Sequence, residues 1–370
     1  MRITRRNMLQ GAAAAPFLRQ LAFSAQYSSQ AAPSKLGIPG LFPGKVIGVE
    51  DHRSIVSGRY NRDVIAPMMQ RGMRELTGAD WGEAWRMFFS KGDRVGIKVN
   101  PVGKPHVISA PEVLHQILEG LEAAGVKRQD IVVYDRYRKQ FHDAGFHTWL
   151  PEGVRKSSAV EDYEEIQLDG NGYDRDHFLT MELTRPGYSN DERARRSHAA
   201  NFITREVDKL INLCVLKDHQ SAGVTLALKN LSHGLVNNVS RSHATRSLNA
   251  CNAFIPAVVA MPVIRNKTVL HILDGVKGVF HGGPGARPQF VWEHHTLYFA
   301  TDPVALDHVG WRKIDEKRLA SGKKKLVEDT PDQFSTFIHR QPEHVEIAGG
   351  LGLGVWDWAK IQYKHLRLNS

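Results

Sequence analysis

Cysteine is nearly absent from this chain: Cys214 and Cys251 are the only two in 370 residues. That is too few for a four-thiolate metal centre, an iron–sulfur cluster or a disulfide framework. Cys214 lies in the apolar run LINLCVL and reads as core. The pair reads as two buried thiols or, in an exported chain, as one Cys214–Cys251 bridge. HExxH, paired CxxC, GxxxxGK[ST] and GxGxxG are all missing, which removes the zincin, Walker-loop and dinucleotide-binding classes, so NAD is not expected. Aromatic residues make up only 8% and are not interleaved with Lys and Arg as single-strand binding requires, so no nucleic-acid partner is expected.

What is present is ordinary globular composition, 42% hydrophobic and 24% charged, enough to bury a large core. The length suits one large α/β domain or two intimately packed subdomains. The formal charge is +10. Arg2, Arg5, Arg6 and Arg19 lie in an N-terminal segment that reads as an export leader, and without them the chain carries about +6.

That segment, residues 1–26, has paired Arg5 and Arg6 inside Thr4-Arg5-Arg6-Asn7-Met8-Leu9, then a modest apolar stretch and a small-residue end near Ser24-Ala25. This is the layout of a twin-arginine signal peptide, which predicts the twin-arginine export machinery as a partner and a periplasmic or otherwise exported location. Pro16 and Arg19 interrupt its apolar core, so no stable membrane span is expected. The alternatives are retention as an anchor and a cytoplasmic amphipathic N-terminus. Residues 27–43, rich in Ser, Ala, Pro and Gly, read as a linker or wrapping arm, and the α/β domain follows over 44–370.

Within that domain, apolar runs at 45–49, 94–100, 131–135, 209–216, 269–274 and 297–302 read as strands, and 62–77 has helical spacing. Ser109-Ala110-Pro111-Glu112 reads as a helix start with Ser109 at the N-cap, followed by a stripe of Val113, Ile117, Leu118 and Leu121. Strand, helix and strand make a βαβ unit, so a mainly parallel sheet with flanking helices is expected. Residues 151–200 read as a polar excursion over the surface. Ligands collect at the carboxyl ends of parallel strands, where Asn100, Lys104 and His106 follow one strand and Asp135, Arg136 and Arg138 follow the next.

Residues 217–243, KDHQSAGVTLALKNLSHGLVNNVSRSH, carry the densest chemistry. His219, His233 and His243 are candidate metal ligands, with His219 also able to move a proton. Lys217 and Lys229, with Asp274 from a later strand end, complete the candidate catalytic set. Lys98, Asn100, Asn230, Arg241, Gly282 and Gly283 are candidate cofactor- or anion-binding residues, the glycines because a backbone without Cβ can approach an anion closely. The Gly-rich run 274–285 also reads as a turn crossing the mouth of the sheet. Asp302 and Asp307 read equally well as helix caps.

The segments GDRVGIKVN, LKDHQSAGVTLALKN followed by His233-Gly234, DGVKGVFHGGPG and TDPVALDHVG resemble, in that order, the bacterial and archaeal family called domain of unknown function 362. The resemblance covers most of residues 90–310. It implies an α/β fold and fixes no reaction. Some members carry a cysteine-rich ferredoxin-like module, for which this chain lacks the cysteines. The order and spacing of His219, Lys229 and His243 is also similar to that of lactate racemases with a nickel-pincer nucleotide. That likeness implies Lys229 as cofactor tether, His243 as metal ligand and His219 as acid/base group. The early acid–arginine motif of those enzymes has no counterpart in Val99–Lys104.

The residues together point to an exported, metal-assisted enzyme of isomerase or hydrolase type, using nickel or another divalent ion on a small anionic or hydroxylated substrate. The alternative is a non-catalytic periplasmic protein that captures an anion or a metal.

Overall fold

A computed structural model describes residues 19–168 and 170–368; the paired arginines of the expected leader lie outside them. The main sheet has nine strands. Eight form its continuous path: β1 (Lys45–Glu50), β2 (Val95–Lys98), β3 (Ile131–Tyr134), β4 (Arg155–Ser157), β5 (Lys209–His219), β6 (Thr268–Val279), β7 (Val291–Ala300) and β8 (Gln362–Arg367). Their spatial order is β8-β1-β7-β6-β5-β2-β3-β4. Every neighbouring pair is parallel except those involving β7, which runs against β6 and β1.

The expected mainly parallel α/β architecture is what forms, and its cause is visible in the strands. In β5, ten of the eleven residues are buried, as a strand covered by helices on both faces must be. Alternate residues serve the two faces. Ile211 and Leu213 join one apolar cluster with α1 (Arg62–Thr77) and α2 (Pro111–Ala123). Leu210, Cys214 and Leu216 join the other, with α3 (Leu226–Leu235), α4 (Cys251–Val259) and α5 (Pro303–Ala320).

The βαβ unit is β2-α2-β3, with β2 and β3 in parallel register. Its helix starts one residue later than the capping pattern suggested. Ala110 is the N-cap, and the Ser109 hydroxyl instead accepts from the Asn100 amide and donates to the Leu213 carbonyl, both at 2.8 Å. Ser109 therefore ties the end of β2 to β5.

Residues 151–200 are more ordered than an excursion. Besides β4, they supply Tyr173–Thr180 and Arg196–Ala200, which form an antiparallel three-stranded sheet with Gln26–Tyr27. Buried Leu179, Ala199 and Ala200 anchor it to the α3 face. The chain before β1 wraps the same face. Leu21, Ala22 and Ile38 are buried there, the Tyr27 hydroxyl donates to the Ala257 carbonyl at 3.0 Å, and the Ile38 amide donates to Arg265 O at 2.9 Å. No helix among the described residues is long and apolar enough to cross a membrane.

Candidate functional site

The site is built where β5 ends. Asp218 and His219 pair antiparallel with Val224 and Gly223, and the Thr225 amide donates to Lys217 O at 2.9 Å. This tight return starts α3 directly above the carboxyl ends of β5 and β2. Helical spacing then brings Lys229 and His233, and likewise Asn230 and Gly234, onto adjacent turns. Leu226, at the start of α3, holds φ at +44°, a left-handed conformation rare for a bulky side chain.

The TDPVALDHVG segment holds that start in place. Asp302 caps its own helix through the Val304 and Ala305 amides and also accepts from Gly44 and Val355. Asp307 instead accepts from the first amides of α3, Ala227 at 2.7 Å and Leu228 at 2.9 Å. One turn on, Gly310 leaves room for Leu226, whose Cδ1 lies 2.8 Å from where a Cβ would stand.

Between α3 and the strand ends lies a pocket of about 250 Å³, lined by Lys98, Asn100, Asp135, Arg136, Lys217, His219, Lys229, Asn230, His233 and His243 among others. Its floor is a bonded network. Lys98 Nζ donates to Asp135 at 2.7 Å, and Asn100 Nδ2 donates to Asn230 Oδ1 at 2.9 Å. Asn230 in turn donates to Asn212 Oδ1 at 2.7 Å. Lys217 Nζ donates to Asn100 Oδ1 at 2.8 Å and to the Val102 carbonyl.

Lys98 runs so close under α3 that a Cβ on Gly234 would stand 2.1 Å from its Cε. Gly234→Ala is therefore expected to push Lys98 off Asp135 and destabilise the chain by about 2 kcal/mol, read as a lower urea midpoint. An unchanged midpoint would show that the Lys98 stem yields freely.

Positive charge on the walls is poorly compensated. Asp135 is the one carboxylate among the described lining residues, and Lys98 occupies it. Among the described residues the Arg136 guanidinium donates to the Tyr173 hydroxyl, the His233 carbonyl and the Gln167 side chain and lies over the Tyr137 ring, with no carboxylate bonded to it. Among the described residues Lys217 donates only to neutral oxygens, with the carboxylates of Asp135 and Asp218 acting on it at longer range, and no side chain pairs with the Lys229 ammonium. Burial pushes Lys217 well below the usual lysine range, and it pushes Lys229 down to about 8.

The imidazoles are neutral for the same reason: burial first, then the charge of Lys229, lowers His219 and His233 strongly and takes His243 down to about 3. Hydrogen bonds assign their protons. His219 Nδ1 accepts from the Ser221 and Ala222 amides at 3.1 and 3.3 Å, so its proton sits on Nε2. Ser242 Oγ donates to Val239 O at 2.7 Å, so it accepts from His243 Nδ1 at 2.8 Å and from His233 Nε2 at 3.1 Å. His243 Nε2 is thereby left with a lone pair. One neutral ring offers a proton and another offers a base, with centroids 6.1 Å apart.

Four sequence candidates lie off the pocket wall. Asp274 faces the opposite side of the sheet, where it accepts from the Tyr60 hydroxyl and the Ala110 amide, both at 3.0 Å; burial pushes its carboxyl up to about 7. Its neighbour Leu273 packs on the pocket side, so alternation alone excludes Asp274. The Arg241 guanidinium is spent on the Leu183 and Arg195 carbonyls and Ser197 Oγ. The Gly283 amide donates to Asp218 at 2.9 Å, so Gly282 and Gly283 form a turn that sets Pro284 at the rim. Lys104 and Arg138 are exposed and paired with Asp143 and Glu161.

Cys251 is a candidate ligand that the sequence pattern does not mark. Both cysteines are free thiols. Donor atoms of His233, His243 and Cys251 lie within 4.8 Å of one another, with Cys251 taking the place expected for His219 in a metal-ligating trio. The sequence signal was a thiol eight residues past His243, at the first position of a helix.

The chain is thus a mainly parallel α/β protein with a cationic, imidazole-rich pocket at the carboxyl ends of its strands, the place where ligands collect in such sheets. Residues 95–312, more than half of it, match the family model described as "Domain of unknown function (DUF362)", and the chain belongs to that family. No curated protein matches it.

Proposed function

We propose that the chain is a metal-assisted enzyme of isomerase or hydrolase type that acts on a small anionic or hydroxylated substrate. The observation that carries this reading is the charge imbalance of the pocket: among the described residues, Arg136, Lys217 and Lys229 face it with no carboxylate hydrogen-bonded to any of them. Burying cations without counter-ions is unfavourable, so the missing charge belongs to a ligand. An anion trap has no need of a neutral imidazole beside a lysine of lowered basicity. The Nε2–H of His219 as proton donor and Lys229, pushed down to about 8, as base favour proton transfer at the bound ligand, with His243 left to the metal. The similarity of His219, Lys229 and His243 to nickel-pincer lactate racemases supports an isomerase, with Lys229 as the residue that would hold an organic cofactor. Thr4-Arg5-Arg6-Asn7 supports export by the twin-arginine route.

The test is calorimetric titration of the purified chain with inorganic phosphate and with glycolate. At least one is expected to bind, and Lys217→Met to weaken it about tenfold or more. Above pH 8 binding should take up a proton, because an anion restores the charged form of Lys229, and this will appear as a buffer-dependent enthalpy. Failure of both anions to bind a folded chain would remove the anionic-substrate reading.

A further inference from the structure

We infer that His233, His243 and Cys251 form a three-ligand site for a borderline divalent ion of the zinc, cobalt and nickel class, one edge of which opens on the pocket. The inference rests on the reading of that pocket as the functional site, and adds to it the ligand set and the type of ion.

Three elements supply the donors: α3 brings His233, the turn Val239–Ser242 delivers His243, and α4 begins with Cys251. Their approach is not incidental packing of apolar groups, because all three surround one hydroxyl. Ser242 Oγ lies 3.1 Å from His233 Nε2, 2.8 Å from His243 Nδ1 and 3.8 Å from Cys251 Sγ. An ion bound among the donors takes over the two nitrogens that now donate to this hydroxyl. The two rings exchange tautomer without losing a proton, and the Cys251 thiol releases one proton to become the thiolate ligand.

The donor chemistry selects the ion. One thiolate and two imidazoles suit zinc, cobalt or nickel and are poor partners for magnesium or calcium, which take oxygen. Three protein donors leave a position for water or substrate, the pattern of sites that do chemistry. His233 and His243 also line the anion pocket, so that fourth position opens where the ligand's oxygens would sit. Lys229, whose charge faces both His243 and Cys251, compensates the thiolate. Ser232, bonded to His233 Nδ1 at 3.0 Å, orients that ring as an outer partner does in metal centres.

The test is cobalt(II) titration of the full chain after treatment with a chelator, followed by absorption spectroscopy. One cobalt per chain is expected, with a thiolate-to-cobalt charge-transfer band. The band should vanish in Cys251→Ser and persist in Cys214→Ser, and His243→Ala and His233→Ala should each weaken binding about tenfold or more. Cys251→Ala replaces the serine variant if that one does not fold. No cobalt uptake by the folded wild type, or a band that survives loss of Cys251, would overturn the inference. Phosphate titration of the same samples separates the two readings. Phosphate binding without cobalt uptake defeats the metal site alone, and cobalt uptake without binding of phosphate or glycolate defeats the anion pocket alone.

Discussion

Lys229→Met is expected to make the folded chain more stable and to abolish anion binding. The Lys229 ammonium sits in α3 with no hydrogen-bond partner among the described residues, and burial pushes it from 10.5 down to about 8. A depression of that size corresponds to about 3 kcal/mol of strain on the charged form at neutral pH. The sign follows from proton counting. Between about pH 8 and 10.5 the unfolded chain holds this proton and the folded chain does not, so stability rises with pH across that window, and below it the whole penalty is present. Methionine keeps the unbranched stem and removes the charge. At pH 7 urea unfolding should show a gain of about 3 kcal/mol for Lys229→Met, and the rise toward pH 10 should be shallower than in the wild type, where buried Lys217 still contributes. A variant less stable than wild type at pH 7 would mean that an unseen partner already neutralises Lys229. A binding group held at a loss of stability is the usual trade at a functional site.

The same energetics explain how much of the site could be read from the residues alone. Strands such as β5 and β6 announce themselves as apolar runs, and the β2-α2-β3 unit by its helix start and following run, so the parallel sheet and the rim carrying Asn100, Lys217 and Lys229 were legible. Which face a polar residue takes was not. In β6 every residue but one is buried, so the alternation that would tell Leu273 from Asp274 is missing from the sequence. Asp274 was consequently placed with the histidines, although it caps the Ala110 turn on the other side.

Arg241 and Cys251 show a second limit. The partners of Arg241 are carbonyls of Leu183 and Arg195, on a segment whose polar composition hides two strands. Cys251 meets His233 only because α4 packs on α3, a contact set by the whole core. Local pattern carries neither fact. Asp307 is the opposite case: the sequence marked it as a cap, and the structure shows that the helix it caps is not its own.

That distinction makes Asp307→Ala the second large effect. The carboxylate accepts from two buried amides at the start of α3, where Leu226 is already held in a left-handed conformation. Removing it orphans both donors at a cost of about 3 kcal/mol, and the loss falls on the turn that carries Lys229. Asp302→Ala is the control. Asp302 accepts four amides, from Val304, Ala305, Gly44 and Val355, so its removal should destabilise at least as much, about 3 kcal/mol or more, yet none of those amides belongs to α3. Both variants should therefore unfold at lower urea. Asp307→Ala alone should also lose phosphate or glycolate affinity and show faster amide exchange at Ala227 and Leu228. If Asp302→Ala impaired the pocket equally, the cap would be transmitting general stability to the site; if neither variant did, α3 would hold Lys229 and His233 in place through packing against the sheet alone.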